Sequence, residues 1–318
     1  MTLQRAAMRA ALATLLGAML NLAASILVQA QPSTPGQGPM LREGTAIKVS
    51  EHVFVIPDNG VPGVPNVGII VGRNATLVVD TGLGRRNGQI VVNEVSKVGG
   101  NTAAVYLVTT HVHPEHDLGA QAFPASTKMV RSRAQVSEIT ELGQQTADAF
   151  RKRSDVMREL LEGAEFRSAD VIFEDEHRLD LGGVRVRLLA MGPNHTPGDT
   201  AIFVEGDGVL FSGDVAMKAL PAFASPKSSL GHWLTSLDRL EKLGPHVVVP
   251  SHGPTGDTAF IVNYRQFLTR VRDRTAALKA EGKSVEQVTE ILVAELKPQY
   301  GDSGRMNGAI RVAYAEAR

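Results

Sequence analysis

Three histidines lie within six residues of the stretch THVHPEHDLG, residues 110–119. His111, His113 and His116 are a third of the nine histidines in the chain, and Glu115 lies among them. Imidazole and carboxylate groups together bind zinc, and they also bind iron or manganese. This spacing favours a metal site over a polar loop in which histidines gather by chance.

The other ligands of such a site must be His, Asp or Glu, because the chain contains no cysteine. Disulfides, thiolate nucleophiles and thiolate ligands are all excluded. Three residues downstream are candidates: His195 in GPNHTPGDT, Asp214 in LFSGD and His252 in VVPSHG. Each follows a predicted strand and has glycine or proline close by, as is typical of functional loops on one rim of a sheet.

The residues around the histidine cluster explain how its side chains would converge. AVYLVTT predicts a buried strand, so His111 and His113, at alternate positions beyond it, can point the same way. Pro114 ends the strand and suits the first position of a helix, where no N–H is needed. Glu115 and His116 would then lie in the first helical turn, where the helix dipole favours acids.

Hairpin-rich groups of strands alternate with helices along the chain. IKVSEHVFVI predicts a pair of strands or one bent strand, and the other predicted strands are VGIIVG, ATLVVDTG, AVYLVTT, VIFEDEHRLDL, VRVRLLAM, AIFVEG, GVLFSGD and HVVVPSHG. The predicted helices are GQIVVNEVSKV, HWLTSLDRLEKLG, two amphipathic helices within 131–165, and helices over 258–281 and 284–296. This order predicts an α/β (α+β) fold, a four-layer αββα sandwich of two mixed β-sheets flanked by helices.

The amino terminus has the features of an export signal. Arg5 and Arg9 precede an almost wholly apolar run that ends at a small-residue cleavage site, Val28-Gln29-Ala30. An uncleaved membrane anchor is the alternative, because the apolar run reaches the length of a spanning helix. With either outcome we expect the folded part to be periplasmic or secreted.

Composition and the positions of proline and glycine divide the chain into four parts. We predict a signal peptide at 1–30, a flexible linker at 31–44, a catalytic domain at 45–257 and a C-terminal helical extension packed on the core at 258–318. The 33 basic and 33 acidic residues balance and are mixed along the chain. We therefore expect a small-molecule substrate, no nucleic acid and no membrane contact beyond export, and leave the oligomeric state open.

Taken in order, HVHPEH, HTPGDT, FSGD and PSHG resemble the motifs of the metallo-β-lactamase superfamily of metallo-hydrolases. VVDTG, with Asp80, resembles the motif that precedes the histidine cluster, and the resemblance extends over about 45–255. It implies the same αββα sandwich with metals at one edge. The implied ligands are His111, His113 and His195 for one zinc, His116, His252 and Glu115 for a second, and Asp214 as the bridge. Asp80 would order the motif loop rather than bind metal.

The resemblance also implies an activity. It is that of a hydrolase with two zinc ions, or iron or manganese, whose metal-bound hydroxide attacks an ester, thioester, lactone or β-lactam. HPEHDLGAQAF further resembles the periplasmic zinc metallohydrolases associated with quinoprotein systems. The alternatives are an iron-dependent oxidoreductase similar to sulfur dioxygenases, and a non-catalytic metal-binding accessory protein.

Glu115 departs from the family pattern, which has aspartate at this position. Glutamate is one methylene longer, so we expect a displaced but occupied second site, a weak second site or a different metal preference. Glu115 is also the candidate catalytic carboxylate. Asp117 is a poorer substitute ligand, because at its spacing it should point elsewhere on the helical turn.

Overall fold

The computed structural model describes residues 38–99 and 104–317. The predicted signal peptide and residues 31–37 of the predicted linker lie outside the described residues. Everything that is described belongs to one compact unit of the chain, Ser33–Arg318. Among the described helices, none combines the length and apolar character needed to cross a membrane.

The first sheet contains the strands that precede the histidine cluster and two that follow it. Its strands, in both spatial and sequence order, are β1 Ile47–Lys48, β2 Val53–Ile56, β3 Val67–Val71, β4 Ala75–Val79, β5 Ala104–Val108, β6 Lys128–Ser132 and β7 Val171–Phe173. The pairs from β1 to β4 are antiparallel, and the pairs from β4 to β7 are parallel. The predicted hairpin at Arg73-Asn74 joins β3 to β4, so this part of the prediction is confirmed.

The second sheet has the spatial order β12-β11-β10-β9-β8. These strands are β8 Glu176–Asp180, β9 Arg185–Ala190, β10 Thr200–Val204, β11 Val209–Gly213 and β12 Val247–Pro250. Only the β11–β12 pair is parallel among the described strands of this sheet. VIFEDEHRLDL was predicted to be one strand, but it forms two. The chain leaves the first sheet after Phe173 and enters the second sheet at Glu176. The two acids between them are poor strand formers.

Helices connect the strands and cover both sheets. They are α1 Gly84–Val98, α2 Pro114–Asp117, α3 Arg133–Glu138, α4 Gln144–Arg151, α5 Asp155–Leu160, α6 Leu230–Glu241, α7 Ala259–Ala280, α8 Val285–Tyr300 and α9 Ser303–Glu316. A π-helical turn, Ile139–Gly143, joins α3 to α4. The helical region predicted from residue 131 begins at Arg133 instead, because 128–132 form β6. α9 lies within the helical extension predicted at 258–318, but the sequence pattern located no individual helix beyond residue 296.

Buried apolar clusters define four layers. Val55 and Leu77 of the first sheet share one cluster with Ile202 and Phe211 of the second, so the two sheets pack face to face. The opposite face of the first sheet packs on α1, where Val91 is fully buried. The predicted αββα sandwich of two mixed sheets is confirmed.

The fourth layer consists of the helices near the carboxyl end. Leu210 on the outer face of the second sheet lies in one cluster with Trp233 of α6 and Phe267 of α7. Leu292 of α8 and Ile310 of α9 belong to the same cluster. The helices beyond residue 257 thus cover apolar sheet surface that would otherwise face water.

The predicted linker extends to residue 44, but its last residues are part of the folded unit. Leu41 is only 4% exposed and packs in the cluster under α1. Its backbone N–H donates to Asn87 Oδ1 at 2.7 Å, and Asn87 donates in turn to the carbonyl oxygen of Pro39. The folded chain therefore begins before residue 45, because a buried leucine and paired backbone groups outweigh the Pro/Gly composition.

Candidate metal centre

The candidate ligands are carried on the ends of strands from both sheets. The histidine cluster follows β5 and continues into α2, while Asp214 and His252 follow β11 and β12. His195 lies in the connection from β9 to β10. Thr200 N–H donates to the carbonyl oxygen of Thr110 at 2.7 Å, which joins the two sheets at this edge.

The first set of ligand atoms is three imidazole nitrogens. His111 Nε2 is 3.0 Å from His113 Nδ1, and His195 Nε2 is 3.3 Å from the same atom. His111 and His195 are buried, whereas His113 is partly exposed. Three nitrogens that converge on one point in this way fit three positions of a tetrahedral zinc site with one side open.

A second set adjoins the first. His116 and His252 each offer a nitrogen, and Glu115 a carboxylate oxygen, all within 4.8 Å of one another. Asp214 lies between the sets, because its Oδ2 is 3.5 Å from His195 Nε2 and it also groups with His116. The structure therefore brings all seven predicted ligand residues together at one edge of the sandwich.

Three polar atoms in this cluster are buried without a hydrogen-bond partner among the described residues. They are Glu115 Oε2, His116 Nε2 and Asp214 Oδ1. A buried polar atom with no partner costs about 1–3 kcal/mol, and more when it is charged. Two carboxylate oxygens and an imidazole nitrogen of neighbouring ligand groups thus lack a protein partner among the described residues, and a bound cation is a partner that fits their chemistry. The residues present therefore suit divalent metal.

Backbone carbonyls orient two of the imidazoles. His195 Nδ1 donates to the carbonyl oxygen of Ala222 at 2.6 Å, and His252 Nδ1 donates to that of Val64 at 2.9 Å. Since a carbonyl can only accept, each Nδ1 must carry the proton. The Nε2 lone pair of each ring is then free to point into the centre, as for metal-binding histidines.

Asp80 lies behind the ligands and orders them. Its Oδ2 accepts from His116 Nδ1 at 2.9 Å and from Thr110 Oγ1 at 2.9 Å, and its Oδ1 accepts from Thr110 N–H at 2.6 Å. Thr110 Oγ1 is thereby available to accept from His111 Nδ1, 3.1 Å away. Asp80 has a φ of 65°, a strained value for a non-glycine residue that this network holds in place.

Burial and the neighbouring charges set the protonation of the cluster, and His116 would have to release a proton to bind a cation. Burial lowers the pKa of His111 and His113 well below the usual value, and the surrounding imidazoles lower it further. Burial alone would raise the pKa of Asp214, but His195, His252 and the other histidines hold it at about 2. Burial likewise lowers the pKa of His116, yet the charge and hydrogen bond of Asp80 outweigh it and raise this pKa to about 9.

The loop that carries His195 is held by two acids that the sequence reasoning missed. Asp199 accepts from His195 N–H at 2.7 Å and from the hydroxyl of Thr196 at 2.9 Å. Glu138 accepts from Gly198 N–H at 2.8 Å, and its burial raises its pKa to about 7. Asp199 lies in the motif HTPGDT, four residues after His195 and three after Thr196, so it could have been predicted to accept from their backbone N–H groups. Nothing in the sequence singled out Glu138.

Asp117 points away from the metal centre, as its spacing predicted. It forms a fully buried bidentate ion pair with Arg131 of β6, whose Nη2 is 2.9 Å from Asp117 Oδ1. Thr109 Oγ1 also donates to Asp117, at 2.9 Å. With every carboxylate oxygen paired, Asp117 fixes the end of α2 against the first sheet and is not a ligand.

An aromatic ring and a cation lie beside the first ligand set. The ring of Phe150 in α4 is 5.7 Å from the ring of His113, centroid to centroid. The guanidinium carbon of Arg153 lies 3.4 Å above the Phe150 ring. Sequence reasoning did not single out either residue. Trp233 is fully buried and donates from Nε1 to the carbonyl oxygen of Val215, so it packs behind Asp214.

The comparison with protein families agrees with this geometry. Residues 60–252 match the family model described as Metallo-beta-lactamase superfamily. Because the match covers more than half of the chain, the chain belongs to the metallo-β-lactamase superfamily. The resemblance based on the motifs is thus confirmed. No curated protein matches the chain.

Solved structures share the fold. The stereoselective inverting sec-alkylsulfatase Pisa1 from Pseudomonas sp. is similar at a TM-score of 0.67 and 17% identity, over 85% of this chain and 49% of that one. A metallo-β-lactamase family protein from Thermus thermophilus has a TM-score of 0.59 and 19% identity, over 83% of this chain and 91% of that one. The DIM-1 metallo-β-lactamase has a TM-score of 0.54 and 18% identity, over 74% of this chain and 99% of that one. The chain spans about half the length of the alkylsulfatase, and identities this low show the fold alone.

Proposed function

We propose that this protein is a metal-dependent hydrolase that holds two zinc ions and cleaves an ester, thioester, lactone or β-lactam type bond in a small molecule. The supporting observation is the convergence of seven candidate ligand residues. Among the residues that the structure describes, Glu115, His116 and Asp214 each have a buried atom without a partner. The sec-alkylsulfatase among the similar structures adds sulfate esters to the substrates worth testing.

The protein's own residues would hold the ions and fix their positions. His111, His113 and His195 form the first set, and His116, His252 and Glu115 form the second. When bound, two divalent ions supply a water that is acidic enough to react near neutral pH and an electrophile for the bond to be cut. No thiol or other protein nucleophile is needed for such a reaction.

The position of Glu115 favours one of the three outcomes expected for the second site. Its carboxylate oxygen comes within 4.8 Å of the nitrogens of His116 and His252 despite the longer side chain. Its Oε2 is buried and has no hydrogen-bond partner within residues 38–99 and 104–317. We therefore propose that the second site is displaced but occupied, rather than weak.

Elemental analysis of the purified protein, together with a hydrolysis panel, tests the proposed function. The panel contains a β-lactam, a lactone, a thioester, a carboxylic ester and a sulfate ester. Two zinc ions per chain and turnover of one class are expected. One iron ion with oxygen consumption on a persulfide substrate would replace the proposal with an oxidoreductase. Bound metal with no turnover of any class would favour an accessory protein instead.

We further propose that the protein is exported and cleaved after Ala30, on the strength of its basic and apolar amino-terminal segment. Amino-terminal sequencing of the protein recovered from the periplasmic fraction should then begin at Gln31. An intact Met1 in that fraction would instead indicate an uncleaved anchor.

A further inference from the structure

The short helices α4 and α5 lie beside the ligands of the first set. Phe150 of α4 is 3% exposed and contacts His113 through its ring. It belongs to an apolar cluster with Leu118, which directly follows α2, and with Leu161 at the end of α5. This segment is therefore fixed to the same elements that carry the histidine cluster, and Phe150 is its point of contact with the first ligand set.

The acids of this segment are already paired with cations other than Arg153. The three pairs, with nitrogen–oxygen distances of 2.7–2.8 Å, are Asp148 with Arg151, Asp155 with Arg158, and Glu159 with Arg86. Within residues 38–99 and 104–317, no carboxylate lies within ion-pair distance of Arg153, which is exposed. An exposed guanidinium without an acid next to a metal centre is free to bind an anion.

Arg153 is also held in place, unlike a typical surface cation. Its guanidinium carbon lies 3.4 Å over the ring of Phe150, and its backbone N–H donates to the Phe150 carbonyl oxygen at 3.0 Å. Stacking on an aromatic face orders the planar group and leaves its N–H donors at the edge. The Phe150 ring under this guanidinium lies 5.7 Å from the His113 ring, centroid to centroid, which places Arg153 near the first ligand set.

Lys218, the exposed cation that follows Asp214 by four residues, offers a comparison. In the described part of the chain it contacts no aromatic ring and no carboxylate at ion-pair distance. A lysine with nothing to order its side chain loses more conformational entropy on binding than a stacked arginine. The structure therefore favours Arg153 as the anchoring cation.

We propose that Arg153 forms a subsite for an anionic group of the substrate, a carboxylate or sulfate that is separate from the bond being cut. This rests on the proposed function, since it takes the metal centre as the place of reaction. The substrate would thus be an anionic ester, thioester or lactam with one charged group on Arg153 and its reactive bond over His113 and its partners.

Ligand binding tests the subsite without requiring turnover. The metal-loaded protein is titrated calorimetrically with glutarate, which has two carboxylates, and with butyrate, which has one. One carboxylate of either ligand can bind the metal, and glutarate alone has a second carboxylate for Arg153. We expect glutarate to bind about tenfold more tightly, as for a hydrogen bond to a charged group. Arg153→Gln should abolish most of this preference, and Arg153→Lys should retain part of it.

Lys152→Gln is the matched control, because Lys152 is an exposed neighbouring cation with no ring contact in the described residues. It should keep the wild-type preference for glutarate. Equal binding of the two acids by the wild type, or an unchanged ratio in Arg153→Gln, would overturn the subsite. Loss of the preference in Lys152→Gln as well would indicate general electrostatic attraction and would also overturn it.

Kinetics separate this inference from the proposed function. If the panel yields a hydrolysable ester, its anionic and neutral forms are compared by kcat/KM, and Arg153→Gln should lower the ratio about tenfold, mainly through KM. If no substrate of the panel turns over while Arg153 still controls glutarate binding, the hydrolase proposal fails and the anion subsite stands. If turnover is found but the ratio does not depend on Arg153, the subsite fails and the hydrolase stands.

Discussion

At the scale of single residues, the candidate metal centre depends on the side chains that orient the predicted ligands as much as on those ligands. His116, His195 and His252 each have one nitrogen fixed by an acceptor behind the ring. That arrangement fixes tautomer and ring orientation before any ion arrives, so the cost of ordering the ligands is met by folding. Substitutions behind the rings should therefore affect metal affinity strongly.

Asp80→Asn tests this for His116. Asparagine tolerates a positive φ, so the strained backbone should persist, while the negative charge behind the imidazole is lost. We expect zinc affinity to fall roughly 10–100-fold, as is usual for partners of metal-binding histidines. Competition with a chromophoric chelator measures it. An affinity equal to that of the wild type would show that Asp80 has no such role.

Glu115→Asp restores the residue that the superfamily usually has at this position. The shorter carboxylate changes how far the second set extends toward His252, so the affinity for the second ion should change several-fold. Zinc titration monitored by calorimetry resolves the two ions. Glu165→Asp, at an exposed position, is the control and should change neither step. Unchanged metal content and unchanged rates in Glu115→Asp would mean that this position does not tune the site.

At the scale of elements, α2 and α3 are fixed through buried charged side chains. Arg131→Met should destabilise the protein by about 3–5 kcal/mol, because Asp117 would remain buried without a counter-charge. Adding Asp117→Asn to Arg131→Met removes that charge and should recover part of the loss. Urea unfolding of both variants measures the difference. A double variant less stable than the single one would contradict this account of the pair.

The raised pKa of Glu138, at the end of α3, predicts that the stability of the folded protein depends on pH. Its pKa in the folded protein is about 7, above the usual 4.5, so the unfolded chain loses this proton first as pH rises. The free energy of unfolding therefore falls as pH rises from 4.5 to 7, and the full loss is present above pH 7. Below pH 4.5 this carboxyl has no such effect. Glu138→Gln, which can still accept from Gly198, should be more stable than wild type at pH 8 by up to roughly 3 kcal/mol.

The comparison is made by urea unfolding of chelator-treated protein at pH 4.5 and pH 8. The two proteins should converge at the lower pH. Glu165→Gln, at an exposed position, should show no such trend. A gain for Glu138→Gln that is larger at pH 4.5 than at pH 8 would have the wrong sign for a raised pKa.

The sequence predicted elements where apolar residues alternate or recur, and it failed where polar residues are buried. β6 has the sequence KMVRS, in which Arg131 and Ser132 are nearly inaccessible but have the composition of a surface segment. In α9, glycines lower helix propensity, and the helix forms because Met306 and Ile310 pack into the outer cluster. Tertiary contacts, which a pattern along the chain does not contain, decided both elements.

The residues of the candidate site likewise fall into those that the sequence could predict and those that it could not. The ligands could be predicted because His195, Asp214 and His252 follow apolar strands and carry a chemically specific side chain. Glu138 and Arg153 could not, because the first is an ordinary helix residue and the second an ordinary surface arginine until the fold places them. Only the fold shows that Glu138 is buried beside the His195 loop and that Arg153 stacks on Phe150.

At the scale of the whole molecule, bound ions would join the two sheets. The histidine cluster belongs to the first sheet, whereas Asp214 and His252 belong to the second. Removal of metal with 1,10-phenanthroline should therefore lower the melting temperature by on the order of 10 °C. Scanning calorimetry before and after zinc is added back measures it. A melting temperature that does not respond to chelation and restoration would argue against a metal that is shared by the sheets.

The same placement of ligands also constrains the order of assembly. The first set needs His195 from the connection between β9 and β10, and the second cannot be complete until β12, which carries His252 at its end, has paired with β11. Local segments such as the histidine cluster offer too few ligands to retain an ion, so metal cannot guide early folding as it does in a zinc finger. Metal would then be loaded after folding. We therefore expect the compartment in which the chain folds to determine which metal it acquires.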